Sequence, residues 1–274
     1  MTFAGSEFGL ITVLLVALVS LAIGAGLGST GYGGFLLPAA LAGLTAMAAP
    51  TAVAHGLAST LLPAALAAGL HLRHHTGPSP WRYFGLLCLG TAPGVILARL
   101  MVDRVDQVTL RAVLGVAVIA AAVLIMVNRR ARARVVEQPT RRRLHRLTPL
   151  VVVLAGTVAG AATVLAGVGG PLVTIPVLLA FGISLATALP ATLLHAVVAT
   201  IMALAVLVLP TGSEATVSLL DPWLLIVATV AMLAGTLAGV AIHRRVATER
   251  MVLPIAVVSA ASGLWLLVTA LAAT

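Results

Sequence analysis

Charge is scarce in this chain, and lysine is absent altogether. Of its 274 residues, 8% are charged and 61% hydrophobic. Soluble domains carry roughly 25% charged residues, so no water-soluble fold could cover this much apolar surface. A single cysteine, Cys88, excludes an intramolecular disulfide, and its place in an apolar run suggests no thiol chemistry. The alternating segments of about ten residues that mark a membrane β-barrel are missing. No Walker A sequence and no Ser/His/Asp arrangement occurs, which argues against an ATP-driven pump and against an enzyme. Residues 1–9 hold Glu7 and no basic residue, unlike the n-region of a secretory signal. No acidic residue sits in the centre of an apolar run, and all seven lie in loops or at run ends. Carboxylates are the usual ligands of hard cations and frequent members of proton relays. Their absence turns the reading away from a cation carrier and towards an anionic or neutral solute.

What is present is a series of apolar runs, most of them long enough for a hydrocarbon core about 30 Å thick. In the first half they cover residues 8–27, 35–48, 50–70, 83–101 and 108–127. In the second half they cover 150–166, 172–182, 185–209, 219–242 and 252–272. The expected fold is an all-α polytopic membrane protein of eight to ten segments, two of them short and glycine-broken. Gly33-Gly34 matches Gly169-Gly170, Pro38 matches Pro176, and Pro50 to His55 matches Pro190 to His195 with the same spacing. These correspondences predict an internal duplication. The first transmembrane repeat occupies 1–128, an Arg-rich loop 129–148, and the second repeat 149–274. Small residues four apart at Gly156/Gly160 and Gly235/Gly239 predict close helix crossings.

All sixteen basic residues are arginine, half of them between Arg129 and Arg146. With five segments per half, an odd number, the second repeat enters from the opposite side, which makes the repeats inverted. Loops 71–82, 128–148 and 243–250 then share one face and hold thirteen of the sixteen arginines. The positive-inside rule assigns that face to the cytoplasm and both termini to the periplasmic or extracellular side. The net charge of +9 is thus a topology signal, with membrane lipids as partners and no nucleic acid. Arg99 and Arg111, on the other face, are expected to anchor the interface, and Arg73 with His71, His74 and His75 to mark a segment end rather than a metal site.

Glycine-rich interruptions of a membrane helix are tolerated where they are buried in protein or line a cavity. Matched interruptions in two halves point to a transport site. A helix restarting at such a break aims unpaired N–H groups and the positive end of its dipole at whatever lies there, which suits an oxyanion. The candidate substrate-binding residues are Gly31, Gly33, Gly34, Gly167, Gly169 and Gly170, with hydroxyls from Thr30 or Thr163. His55 and His195 join them, because intramembrane ionisable residues are costly and a histidine can donate to an anion or exchange a proton. No catalytic residue, metal ligand or cofactor is expected.

The run from Gly28 to Pro38 (GSTGYGGFLLP), the following proline-led segment and His71-Leu-Arg-His-His75 resemble the sulfite exporter TauE/SafE family of bacterial membrane permeases. GVGGPLVTIP at 167–176 is similar to that family's repeated glycine-rich motif. The resemblance covers residues 10–270 and implies a two-repeat helical transporter in the bacterial inner membrane. Members are linked to small sulfur-containing anions such as sulfite and organosulfonates. Here Phe35 follows the first glycine pair directly, and Pro171 takes the third glycine position of the second break. The leading expectation is a secondary transporter, an exporter of such an anion working by alternating access. The alternatives are an anion channel and a non-transporting membrane scaffold. A small anion is the expected partner, and a homodimer is compatible with the pattern.

Overall fold

The computed structural model describes residues 9–102 except 46, 76 and 77, and 148–243 except 168, 169, 182 and 209–220. Single positions between 108 and 126 and between 257 and 268 are also described. Most of the fifth and tenth expected segments, the Arg-rich loop, Gly169, Arg111 and both chain ends lie outside the described residues. The helices are α1 (Leu10–Thr30), α2 (Leu36–Thr45), α3 (Ala49–Arg73), α4 (Trp81–Val102), α5 (Thr148–Ala166), α6 (Pro171–Ala180), α7 (Leu185–Val208) and α8 (Pro222–His243). Six of them are long and apolar enough to cross a membrane. The short pair, α2 and α6, have ten residues each. At 1.5 Å per residue each measures about 15 Å, half of what a crossing needs.

Local chemistry explains the boundaries. Gly31 ends α1 with φ +77°, its N–H donating to the Leu27 carbonyl at 2.9 Å. Gly167 ends α5 in the same way, with φ +63° and its N–H on Thr163 O at 3.0 Å. Only glycine adopts this left-handed cap without a steric penalty. Pro50 opens α3, where a missing N–H is harmless. Its last turn carries His71 and Arg73, which complement the negative end of the helix dipole. Asp221 caps α8, its carboxylate accepting from the Leu224 N–H at 3.0 Å. Ser79-Pro80-Trp81 opens α4 as Asp221-Pro222-Trp223 opens α8, a further match between the halves.

Two helix pairs form the most extensive contacts, α1 with α8 and α4 with α5. Both are glycine-lined and both run parallel. Gly24 and Gly28 meet the backbone at Met232 and Thr236, and Gly235 and Gly239 meet it at Leu21 and Ala25. Gly90 and Gly94 meet Val153 and Thr157, while Gly156 and Gly160 meet Leu87 and Thr91. The expected crossings at Gly156/Gly160 and Gly235/Gly239 are therefore present, each facing a second small-residue pair on its partner. Helices α3 and α7 lie innermost, with more than half their residues buried, and touch each other. Helix α3 also packs on α8, and α7 on α4. Helix α2 sits against α1 and α3, and α6 against α5 and α7, so each contact in one half has its counterpart in the other.

The outer helices expose leucine, isoleucine and valine, such as Ile11, Leu14 and Leu18 on α1 and Ile226, Val230 and Leu237 on α8. In water such a surface would be an aggregation site, and in hydrocarbon it is the solvated face. Arg99 departs from expectation. An interfacial anchor would be open to headgroups, yet only 8% of Arg99 is exposed, so it points among the helices. It is the one Arg, Asp or Glu buried among the described residues.

Candidate functional site

The two glycine breaks, about 140 residues apart in sequence, arrive at one small cavity. Gly31, Tyr32, Gly33, Gly34 and Phe35 line it from the first half, and Gly167, Pro171 and Leu172 from the second. The middle of α3 adds Leu57, Thr60 and Ala64, and the middle of α7 adds Ala196 and Thr200. Its volume is about 30 Å³, room for a water or two. A larger solute needs the surrounding helices to part.

The first break is built by close approach. After Gly31 the chain doubles back, and Gly33, at φ +138°, lies against the backbone of Ile23 and Leu27. Helix α2 then starts with the Leu36 N–H on Gly33 O at 2.8 Å and the Leu37 N–H on Gly34 O at 3.3 Å. The N–H groups of Gly34 and Phe35 belong to the region a helix leaves without internal partners, and both residues border the cavity. Pro38 seats against Gly56, and Gly34 against the Thr60 methyl, which pins α2 to α3. In the second half the Thr174 N–H closes on Gly170 O at 3.0 Å, and Pro171 has no N–H to satisfy.

The remaining candidates separate. Thr30 Oγ1 donates to Gly26 O at 2.8 Å and accepts from the Tyr32 N–H at 3.2 Å, so it braces the first break from behind. Thr163 Oγ1 donates to Ala159 O at 2.7 Å. Neither lines the cavity. His55 is buried, and its Nε2 accepts the backbone N–H of Asp221 at 2.8 Å. Its proton is therefore on Nδ1, which points to Thr51 O at 3.2 Å. His55 ties α3 to the start of α8. His195 is also fully buried, but its Nε2 lies 2.6 Å from Thr91 Oγ1 on α4. Its Nδ1 has no hydrogen-bond partner among the described residues, and it faces the α-carbon of Gly170, where a Cβ would overlap it. The two histidines occupy matching positions and do different things. Among the described residues, no three His, Cys, Asp or Glu side chains cluster as metal ligands would.

The family model for the sulfite exporter TauE/SafE proteins matches residues 13–266, nearly the whole chain. The chain belongs to the TauE/SafE family. It is accordingly a multi-pass membrane transporter and not an enzyme. No curated protein and no solved structure matches it.

The most informative lining residues of this TauE/SafE chain were missed in its sequence. Thr60 stands five residues after His55, and Thr200 five residues after His195. The repeat pattern is thus proline, histidine and threonine at equal spacing, Pro50-His55-Thr60 and Pro190-His195-Thr200. The histidines turn outward to other helices and the threonines reach the cavity wall. Carrying the comparison of the halves one step beyond the histidines would have found them.

Proposed function

We propose that this permease moves a small sulfur-containing oxyanion, sulfite or an organosulfonate, across the bacterial inner membrane as an exporter, by alternating access between two inverted repeats. The observation that carries the reading is the meeting of both glycine breaks on one cavity, at mid-length of α3 and α7. Backbone N–H groups at the start of α2 and the hydroxyl of Thr200 are donors suited to an oxyanion, whereas Thr60 Oγ1 gives its hydrogen to the Gly56 carbonyl and presents its methyl to Gly34. The small cavity supports a carrier cycle, since substrate enters only when the helices separate.

Helix directions support the inversion. The Gly28 carbonyl near the end of α1 accepts from His71 near the end of α3 at 3.0 Å, so both helices finish on one side. Residues 74–80 extend to at most about 25 Å, too short to recross a core of about 30 Å. Helix α4 therefore returns, and α5 runs parallel to it, opposite in sense to α1. On this scheme loops 71–82, 128–148 and 243–250 are cytoplasmic.

Counterflow of labelled sulfite in proteoliposomes tests the reading. Unlabelled sulfite on the far side should accelerate label entry through a carrier. Label entry that is indifferent to far-side sulfite would mean a channel, and no entry would mean a scaffold.

A further inference from the structure

The site is nearly symmetric in its backbone and asymmetric in its buried imidazoles, and the asymmetry has a chemical meaning. Both nitrogens of His55 are occupied by backbone groups, Thr51 O and the Asp221 N–H. On His195 only Nε2 is occupied. Thr91 Oγ1 gives its own hydrogen to Leu87 O at 2.9 Å, so it accepts from His195 Nε2–H. That leaves a lone pair on Nδ1, in a fully buried ring, with no donor among the described residues. An unsatisfied buried acceptor is costly. The nitrogen packs against Gly170, the residue just before α6, in the space that any side chain there would take. The residues that follow each of the two in sequence, Pro171 and Ala196, line the cavity, while Gly170 and His195 do not.

A bare lone pair repels an oxyanion and attracts a proton. We propose that His195 is the proton-handling residue of this permease and that the transported anion crosses with one proton, while His55 only holds α3 to α8. This rests on the transport reading above. On loading, Nδ1 takes a proton that arrives with the anion, and the ring becomes a cation donating from Nε2 to Thr91 and from Nδ1 towards the start of α6. The anion itself is held across the cavity by the backbone N–H groups at the start of α2, and the ring carries only the proton. On release the proton leaves Nδ1 for the exit side with the anion, and the neutral ring returns. Nothing is oxidised or reduced, and one proton and one anion move per cycle. Helices α3, α4, α5 and α6 pack against α7. Their titratable or charged groups are His55, His71 and Arg73 on α3 and Arg82, Tyr83, Cys88 and Arg99 on α4, with none on α5 or α6. No carboxylate is available on these helices to take the proton instead.

The test uses the full chain in proteoliposomes with labelled sulfite, comparing accumulation driven by an inward proton gradient with exchange at equal pH. The wild type should do both. His195→Gln keeps a donor for Thr91 but has no titratable nitrogen, and should keep exchange while losing gradient-driven accumulation. His55→Gln should retain both activities. Undiminished accumulation by His195→Gln, or a selective loss in His55→Gln alone, would overturn the proposal. A measurement on the wild type guards against a misfolded variant. With both sides buffered well above sulfite's second ionisation, a trapped pH dye should report acidification as sulfite enters. Entry without acidification would overturn proton coupling and leave the transport reading standing. No sulfite-dependent flux at all would overturn the transport reading and this inference with it.

Discussion

At the scale of single residues, His55 and His195 stand at the same distance from their prolines and make different contacts. The interval from proline to histidine is the same in both halves of the chain, and both rings are buried within the helix bundle. What each ring meets depends on a different helix, α8 for His55 and α4 for His195. Sequence could therefore locate the histidines and could not rank them. His55→Ala should remove the acceptor for the Asp221 N–H and loosen the α3–α8 junction. A loss of about 1–3 kcal/mol is expected from an orphaned, part-buried donor, read as a lower thermal midpoint in detergent with sulfite exchange retained in the folded fraction. An unchanged midpoint would remove His55 from the structural role given to it here. Arg99 teaches the same lesson. Its position near the end of an apolar run read as an interfacial anchor, but the face it occupies was set by the packing of α4.

At the scale of helices, glycine separates into two uses. Gly31 and Gly167 end helices through positive φ, whereas glycines four apart let parallel helices touch backbone to backbone. The second use was half legible. The pairs Gly156/Gly160 and Gly235/Gly239 stand out in the sequence, and Gly24/Gly28 and Gly90/Gly94 carry the same signal. Whether such a stripe is used depends on which helix faces it, and that is a tertiary fact. At Gly94 a side chain would collide with the Thr157 carbonyl, while Gly85 on the same helix has nothing within 4 Å of a Cβ. Gly94→Leu should therefore force α4 and α5 apart and cost about 1–3 kcal/mol, the usual range for overpacking. Gly85→Leu should be tolerated. Thermal unfolding of the two variants side by side checks the difference, and equal stability would contradict the α4–α5 crossing.

At the scale of the whole molecule, the long helices and both breaks could be read from apolar run length and glycine density, because lipid imposes strict rules on backbone pairing. Segments 35–48 and 172–182 already read as short, and α2 and α6 have ten residues each; what run length could not decide is whether such a segment spans or re-enters. The proposed inverted arrangement would put the arginine-rich loops on one face. On a Cys88→Ser background, Ser79→Cys and Gln138→Cys should react with an impermeant maleimide from one side of the membrane, and Ser213→Cys from the other. Labelling of Ser79→Cys and Gln138→Cys from opposite sides would break the inverted scheme.

The central claim is that the two breaks form one transport site, and it stands or falls on flux through a filled cavity. Gly33 combines positive φ with contact against the α1 backbone and borders the cavity. The decisive measurement is labelled-sulfite exchange by proteoliposomes of Gly33→Leu beside wild type, with equal amounts of folded protein confirmed by size-exclusion profile. The account predicts exchange in the wild type and none in the variant. Normal exchange by folded Gly33→Leu would place the transport path elsewhere in the bundle.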